Sequence, residues 1–372
     1  MPQGLSVAAR TLEKPSPSRA LATDVLPGAP SARIQVPEEG TNHDYELFCR
    51  VSLGDQFNDE RYIALRKLGY GQYSTVWLAR DLKTQTHVAV KFLRSDCYDG
   101  NHDTYELEML QHIRQKSHLS TNPGRNHAIQ LLDHFHHEGA NGNHVCLVFP
   151  VLGHHLGLQA GKFEQQRIPV AVMKEVARHC SKGSISCTEN AALYTQAIIS
   201  SYLEQTSARI SQRQSTRLGD IDKGSEEAPM PMPLSEVITT PLISEMDEIR
   251  VRIIDFGVSS WVNQHLSDRI QSPHLRAPEV MLGAPWGTGV DIWSLGSLMI
   301  EFVKGHLPFP GTASQNGTWT AEDDRLAQLI EVFGPFPEAL LKRGVRSREF
   351  FDDEGNLLRI LKLSPASLLS SH

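Results

Sequence analysis

Apolar and polar residues alternate from Tyr62 to Lys67 and again from Ser74 to Ala79, on either side of a glycine turn, and His87–Leu93 adds a β-branched run. This pattern predicts a small antiparallel β-unit. Leu107, Leu110 and Ile113 then fall at helical spacing within Tyr105–Arg114, and Val145–Val151 is strand-like again. Further along, Val251–Ile254 predicts a short strand, while Val290–Lys304 and Asp324–Phe333 carry helical patterns, the latter with Leu326, Leu329 and Ile330 on one face. A β-rich half therefore precedes a helical half, which is the order of an α+β chain.

Two stretches interrupt the pattern. The first forty residues are rich in Pro, Ser and Ala with little periodicity and are expected to form a flexible tail. Arg10, Arg19 and Arg33 among serines also resemble a transit peptide, against which stand Glu13, Asp24, Glu38 and Glu39. From Cys180 to Met246 the chain turns to Ser, Thr, Gln and Pro, centred on Pro229-Met230-Pro231-Met232-Pro233, and predicts a spacer within a domain.

Composition narrows the class. At 372 residues, 40% hydrophobic and 21% charged, the chain can bury a sizeable core and is neither fibrous nor wholly disordered. A net charge of −7 argues against a polyanion-gripping protein, so direct nucleic-acid binding is not expected and a basic partner suits better. No apolar run approaches the roughly 18 residues of a membrane helix, so a soluble chain without a membrane segment is expected, and a monomer. The five cysteines form no Cys-x-x-Cys pair, which fits a reducing compartment and suggests neither a disulfide framework nor a zinc site.

The candidate chemistry begins at Gly69-Tyr70-Gly71-Gln72-Tyr73-Ser74-Thr75-Val76, between two predicted strands, where glycines let backbone approach phosphates closely. Alone this is weak, since a lone Gly-x-Gly in a hairpin is more often just a turn. Val88-Ala89-Val90-Lys91 then places a lysine in the third strand, and Glu106 on the next helix is a carboxylate able to hold that ammonium, although a helix glutamate is commonly just solvated surface. Asp255-Phe256-Gly257 follows directly on a strand, where an Asp facing phosphates suits magnesium, a cation that prefers hard oxygen ligands. Ala277-Pro278-Glu279 and Asp291-Ile292-Trp293-Ser294-Leu295-Gly296 complete five motifs in order.

From about Arg61 to Gly355 these residues resemble the eukaryotic protein kinases. Arg66–Leu78, Asn143–Phe149, Val151–Leu156 and Gly317–Asp324 are similar to the serine/arginine-rich protein-specific kinases, the last in the style of fungal members. The resemblance implies a bilobal kinase-like fold: residues 1–60 as tail and lead-in, 61–153 as N-lobe and hinge, 154–178 as the start of the C-lobe, 179–249 as an aberrant loop region and insert, and 250–372 as a truncated C-lobe. It implies phosphorylation, with ATP and Mg2+ as cofactors, of serines in Arg-Ser-rich proteins, in cytoplasm and nucleus. Carried over by position, Leu68, Gly69, Gly71, Val76 and Ala89 enclose the nucleotide, Lys91 pairs with Glu106, and Asp255 takes the metal. The carbonyl of Pro150 and the amide of Leu152 meet the adenine; Pro150 stands where the family usually has an acid, and proline keeps the carbonyl that matters. Asp324 and Glu331 match acidic positions of the family's docking groove for arginine-rich partners, the alternative being a solvated helix face.

Two departures stand out. The family's catalytic loop, with its Asp, Lys and Asn, is due about twenty residues after Ala177-Arg178 and is absent; His179–Gln196 occupies its approach. The match also fades after Leu358, leaving the C-lobe incomplete. If one base was lost at the His179 codon, allowed codons for the residues up to Gln196 regroup to spell Leu-Leu-Gln-Gly-Leu-Asp-Phe-Leu-His-Arg-Glu-Cys-Gly-Leu-Ile-His-Thr, similar to the family's helix leading into its His-Thr-Asp loop. Three hypotheses follow: a serine/threonine kinase gene with a damaged transcript or reading frame, a pseudokinase that binds ATP or an arginine-rich partner, and an unrelated ATP-grasping enzyme.

Overall fold

The computed structural model describes residues 44–99, 104–119, 121–153, 155–161, 163–191, 193–194, 198–202, 250–262 and 264–368. The expected N-terminal tail and the proline-methionine centre of the spacer lie outside them. Six strands form one antiparallel sheet: β1 (Gln56–Phe57), β2 (Tyr62–Gly71), β3 (Ser74–Asp81), β4 (Thr86–Leu93), β5 (Asp133–Gly139) and β6 (Gly142–Pro150), in the order β1-β2-β3-β4-β6-β5.

The period of two sorts the side chains of this sheet. Along β4, Val88, Val90 and Phe92 enter one apolar cluster with Tyr62, Trp77, Cys146 and Val148. Ala89 and Leu93 point the other way, into a cluster with Val145, Leu147 and Phe149 of β6. That second face is covered by helix α1 (Glu106–Leu119), which contributes Leu107, Met109, Leu110 and Ile113. Parity thus puts Lys91 on the α1 side, between Ala89 and Leu93.

The second lobe is helical. Helices α2 (Leu156–Ala160) and α3 (Val170–Ala191) share a core with Val251 and with the apolar side of α5 (Gly289–Lys304). Short α4 (Pro278–Met281) leads toward α5, and α6 (Ala321–Phe333) packs Leu326, Ala327 and Leu329 against Met281, Leu282, Phe309 and Phe350. Two short helices, α7 (Glu338–Arg343) and α8 (Ser347–Phe350), follow. The start of α6 is fixed by a capping box: Thr320 Oγ1 accepts the Asp323 N–H at 3.2 Å and Asp323 Oδ2 accepts the Thr320 N–H at 2.8 Å.

Four short strands tie the lobes' junction together. β9 (Arg250–Ile254) pairs antiparallel with β8 (Ile198–Tyr202), and β10 (Ser260–Trp261) pairs with β7 (Leu193–Tyr194). Among the described residues no helix is long and apolar enough to cross a membrane.

One expectation is corrected here. A spacer was expected from Cys180, yet α3 continues to Ala191. Its composition disguises it, and packing explains it, since tertiary contacts sustain helices of weak propensity. A Cβ on Gly183 would lie 2.8 Å from the His127 carbonyl oxygen, and one on Gly124 only 2.2 Å from that of Lys182. Two glycines therefore let α3 lie directly on the 3-10 turn Pro123–His127.

Candidate active site

β4 supplies Lys91, α1 supplies Glu106 and the turn after β9 supplies Asp255. Lys91 Nζ donates to Glu106 Oε1 at 2.7 Å and Oε2 at 2.8 Å, and to Asp255 Oδ1 at 3.0 Å. The alternative of a solvated helix glutamate is excluded, because Glu106 is only 2% exposed. Burial opposes the Lys91 charge, but Glu106 and Asp255 outweigh it and hold its pKa above the ordinary lysine value. Burial, with Asp255 adding to it, pushes the Glu106 carboxyl upward while Lys91 pulls it back. Glu106 also accepts the Phe256 backbone N–H.

The turn carrying Asp255 is locked in place. Asp255 has φ of 66°, a left-handed conformation that Asp tolerates better than most residues. Phe256, 1% exposed, anchors the turn in the cluster beneath α1. A Cβ at Gly257 would stand 3.3 Å from Glu106 Oε2, so glycine lets the turn pass close to the carboxylate. The Asp255 carboxylate, with a side chain 41% exposed, keeps an open side suited to a hard cation.

The glycine-rich turn lies at the β2–β3 hairpin, where Gly71 pairs with Ser74 and Gly69 with Val76. A Cβ at Gly69 would meet nothing within 4 Å, and one at Gly71 only Ser74 Oγ at 3.9 Å, so the space beside this backbone is open. Leu68, Val76 and Leu152 pack against the cluster that holds Ala89, Leu147 and Phe149. Pro150 ends β6 opposite Val88. Leu68, Val76, Ala89 and Leu152 thus share one apolar cluster on the face of the sheet that carries Lys91, and the chemistry of these residues fits a nucleotide.

The docking pair is more engaged than its sequence spacing suggests. Asp324 Oδ2 accepts the Thr312 N–H at 2.7 Å and the Gln328 amide at 2.9 Å. Glu331 Oε1 accepts the Ser364 N–H at 2.8 Å, and its backbone carbonyl accepts that of Ala366 at 2.8 Å. Neither is a merely solvated carboxylate. The neighbouring Asp323, which the sequence reading did not single out, is 1% exposed and pairs with Arg359 at 2.6 Å; its place in the capping-box spacing was the available signal.

Where the catalytic loop is due, the chain is too short. β7 ends at Tyr194 and β8 begins at Ile198, so residues 195–197, outside the described set, are all that joins them. A six-residue Asp-x-Lys-Pro-x-Asn segment has no place there. The end of α3 is also mismatched to its surroundings: Ile185 is 48% exposed, while Ser186 is 4% exposed.

A β-sheet lobe bearing a helix-paired lysine, joined to a helical lobe at an Asp-Phe-Gly turn, is the protein kinase fold. Residues 242–348 match the protein kinase domain family. The chain is similar to Protein kinase dsk1 of Schizosaccharomyces pombe, 28% identical over 88% of this chain and 75% of the relative. It is similar also to Serine/threonine-protein kinase SRPK of Physarum polycephalum, 29% identical over 88% of this chain and 80% of the relative. SRSF protein kinase 3 of Mus musculus is 23% identical over 92% of this chain and 86% of its own length. Over most of its length the chain is thus similar to serine/threonine protein kinases of the SR protein kinase type.

Proposed function

We propose that the gene encodes a kinase for serines in Arg-Ser-rich proteins, and that the chain as written binds its nucleotide but transfers phosphate poorly. The observation that carries the first half is the three-way contact of Lys91 with Glu106 and Asp255. Glu106 fixes the ammonium on the face shared with that apolar cluster, where it would serve the phosphates of ATP. Asp255 would hold Mg2+, which would neutralise charge on the phosphates. Gly69 and Gly71 would cover the nucleotide, Leu68, Val76, Ala89 and Leu152 would enclose the adenine, and Pro150 C=O and Leu152 N–H would bond its edge. Asp324 and Glu331 present acceptors to an arginine-rich peptide. A monomer working in cytoplasm and nucleus fits this substrate.

The second half rests on the missing loop. Without an Asp to orient the serine hydroxyl and an Asn to hold the second metal, activity should fall by several orders of magnitude. The burial pattern of α3 supports a slipped reading frame as the cause. Positions 180, 183, 186 and 187 are buried and 182 and 185 exposed. The regrouped reading would put leucine, glycine, phenylalanine and leucine at the buried positions and glutamine and aspartate at the exposed ones. It retains glycine at 183, where no Cβ fits. The same register would bring the regrouped Leu-Ile onto β7, immediately before the loop.

The pseudokinase reading draws on the intact lysine cluster beside the absent loop. Titration with ATP and magnesium, followed by phosphotransfer to an Arg-Ser peptide, separates the two. Saturable binding without turnover, together with a locus lacking any catalytic loop, favours the pseudokinase; turnover on restoring the loop favours the damaged kinase.

A further inference from the structure

After α8 the chain runs back over α6. The Leu358 N–H donates to the Phe350 carbonyl at 2.8 Å, and Arg359 Nη1 pairs with the buried Asp323 at 2.6 Å and donates to the Glu349 carbonyl at 2.9 Å. Ile360 and Leu368 pack against the cluster that holds Leu326 and Leu329. Between those anchors Leu361 is 84% exposed, and Lys362, Ser364, Pro365 and Ala366 are exposed as well. Residues 359–368 thus form a strap fastened at both ends.

The middle of the strap lies across one residue of α6. Glu331 Oε1 accepts the Ser364 N–H and the Glu331 backbone carbonyl accepts the Ala366 N–H, each at 2.8 Å. Glu331 sits in the last turn of α6, where the helix dipole is negative. Pro365 stands between the two donors and disfavours helical backbone at Ser364, and the residues around it are neither helix nor strand. Ser364 is therefore carried on open, extended chain. Its hydroxyl makes no hydrogen bond among the described residues.

We propose that Ser364 is a phosphorylation site for a proline-directed protein kinase, and that the phosphate lifts the strap from Glu331. The Ser364 hydroxyl attacks the γ-phosphorus of ATP: an O–P bond forms, the bond to the β,γ-bridging oxygen breaks, the hydroxyl proton passes to the modifying enzyme and ADP leaves. The product carries about two negative charges on the residue whose N–H a carboxylate holds, at the negative end of a helix. Both neighbours repel it, and a phosphate in that setting disrupts local structure. Lys362, two positions back, is exposed, so an ion pair from it to the phosphate is worth little. Once Ser364 leaves, the Glu331 carboxylate is open to a guanidinium of an arginine-rich peptide. That last step rests on Asp324 and Glu331 being the docking pair; release of the strap does not.

The test treats the full chain with ATP and a proline-directed kinase whose activity is verified on a Ser-Pro peptide, and locates phosphate by site-resolved mass spectrometry. Phosphate is expected on Ser364 and should be lost in Pro365→Ala, which keeps the serine. Hydrogen exchange at the amides of 364 and 366 should then quicken about tenfold or more, and by less in Glu331→Gln, which keeps an acceptor and removes the repelling charge. An Arg-Ser peptide should bind the phosphorylated chain several-fold tighter. Ser364→Pro, which removes the N–H without adding charge, should tighten it too, and so separates release of Glu331 from attraction to the phosphate. If the strap is released while peptide affinity ignores both phosphorylation and Glu331→Gln, the docking reading fails and the modification site stands. No phosphate on Ser364, or phosphate with unchanged exchange at 364 and 366, overturns the site.

Discussion

Lys91 and Asp255 stand 164 positions apart in the chain, yet their side chains meet at 3.0 Å. That contact joins the sheet lobe to the turn that opens the second lobe, and Glu106 completes it from α1. Removing the ammonium leaves two carboxylates facing each other, one of them buried, an arrangement that costs on the order of 3 kcal/mol when its partner is lost. Lys91→Ala should therefore weaken magnesium-ATP binding about tenfold or more and lower the unfolding temperature as well. Fluorescent-ATP titration and a thermal melt read the two effects separately. Pro150→Ala keeps the backbone carbonyl and should change neither by a measurable amount.

The arginine-rich partner is tested by charge rather than by truncation. Glu331 holds the Ser364 N–H and Asp324 holds the Thr312 N–H, so alanine at either position would also release a backbone segment. Glu331→Gln keeps an acceptor for Ser364 and removes only the charge. Combined with Asp324→Asn, it should weaken an Arg-Ser peptide several-fold at low salt and much less at 1 M salt, where the Debye length falls to about 3 Å. Fluorescence anisotropy of a labelled peptide across a salt series measures this. Binding that ignores both salt and the substitutions would remove Asp324 and Glu331 from the groove.

Acid sensitivity of the sheet lobe follows from Arg61. Its guanidinium bonds both oxygens of Asp81, at 3.0 and 2.9 Å, and holds that carboxyl down at about 2. A depressed folded-state value means the stabilisation is complete above the ordinary carboxylate range near pH 4 and is lost as pH falls toward 2. Asp81 is 3% exposed, so the effect is about 2 kcal/mol. Arg61→Met should flatten the fall in unfolding temperature between pH 4 and pH 2, relative to the parent. An unchanged slope would show that other carboxylates govern acid unfolding.

How far these features were legible in the sequence depended on how local their causes are. Period-two alternation marked β2, β3 and β4, and parity alone then aimed Lys91 at α1. Helical spacing found α1, α5 and α6. β5 escaped because His134, His136 and His137 mask its alternation, and the sheet supplies its partner only through β6. The helix running on to Ala191 escaped because Ser, Cys, Thr and Gly183 break its apolar periodicity, and its stability draws on contact with the Pro123–His127 turn.

Side-chain mismatch on α3 gives a prediction of unusual sign. Placing Phe at a buried, serine-filled position of a well-packed core normally costs about 1–3 kcal/mol through overpacking. If the surroundings of 180–187 were shaped by the regrouped side chains, Ile185→Asp, Ser186→Phe, Cys180→Leu and Cys187→Leu together should instead stabilise the chain by a few kcal/mol, since each burial of that kind contributes about 1.5–3 kcal/mol. The unfolding temperature should rise by several degrees. A fall would mean that α3 is packed for the side chains it carries.

The nucleotide sequence provides the most demanding check. For the regrouped reading, the Ser184 codon must begin with TC, the Ile185 codon must end in T, and the Leu193 codon must be TTA, so that the shifted triplets read as Leu, Phe and Ile. Each choice is ordinary and their joint occurrence is not. The locus must also encode Asp-x-Lys-Pro-x-Asn in the shifted frame beyond the Gln196 codon, because the three positions between β7 and β8 cannot hold it. When the lost base and the excised stretch are restored, β7 would deliver the new aspartate to the junction that carries Asp255, since β7 pairs with β10 a few residues after that turn. Magnesium-dependent serine phosphorylation of an Arg-Ser peptide should then appear, and Lys91→Ala in the restored chain should abolish it. Different codons at 184, 185 and 193, or a locus with no such loop, would leave a pseudokinase whose lysine cluster serves binding alone.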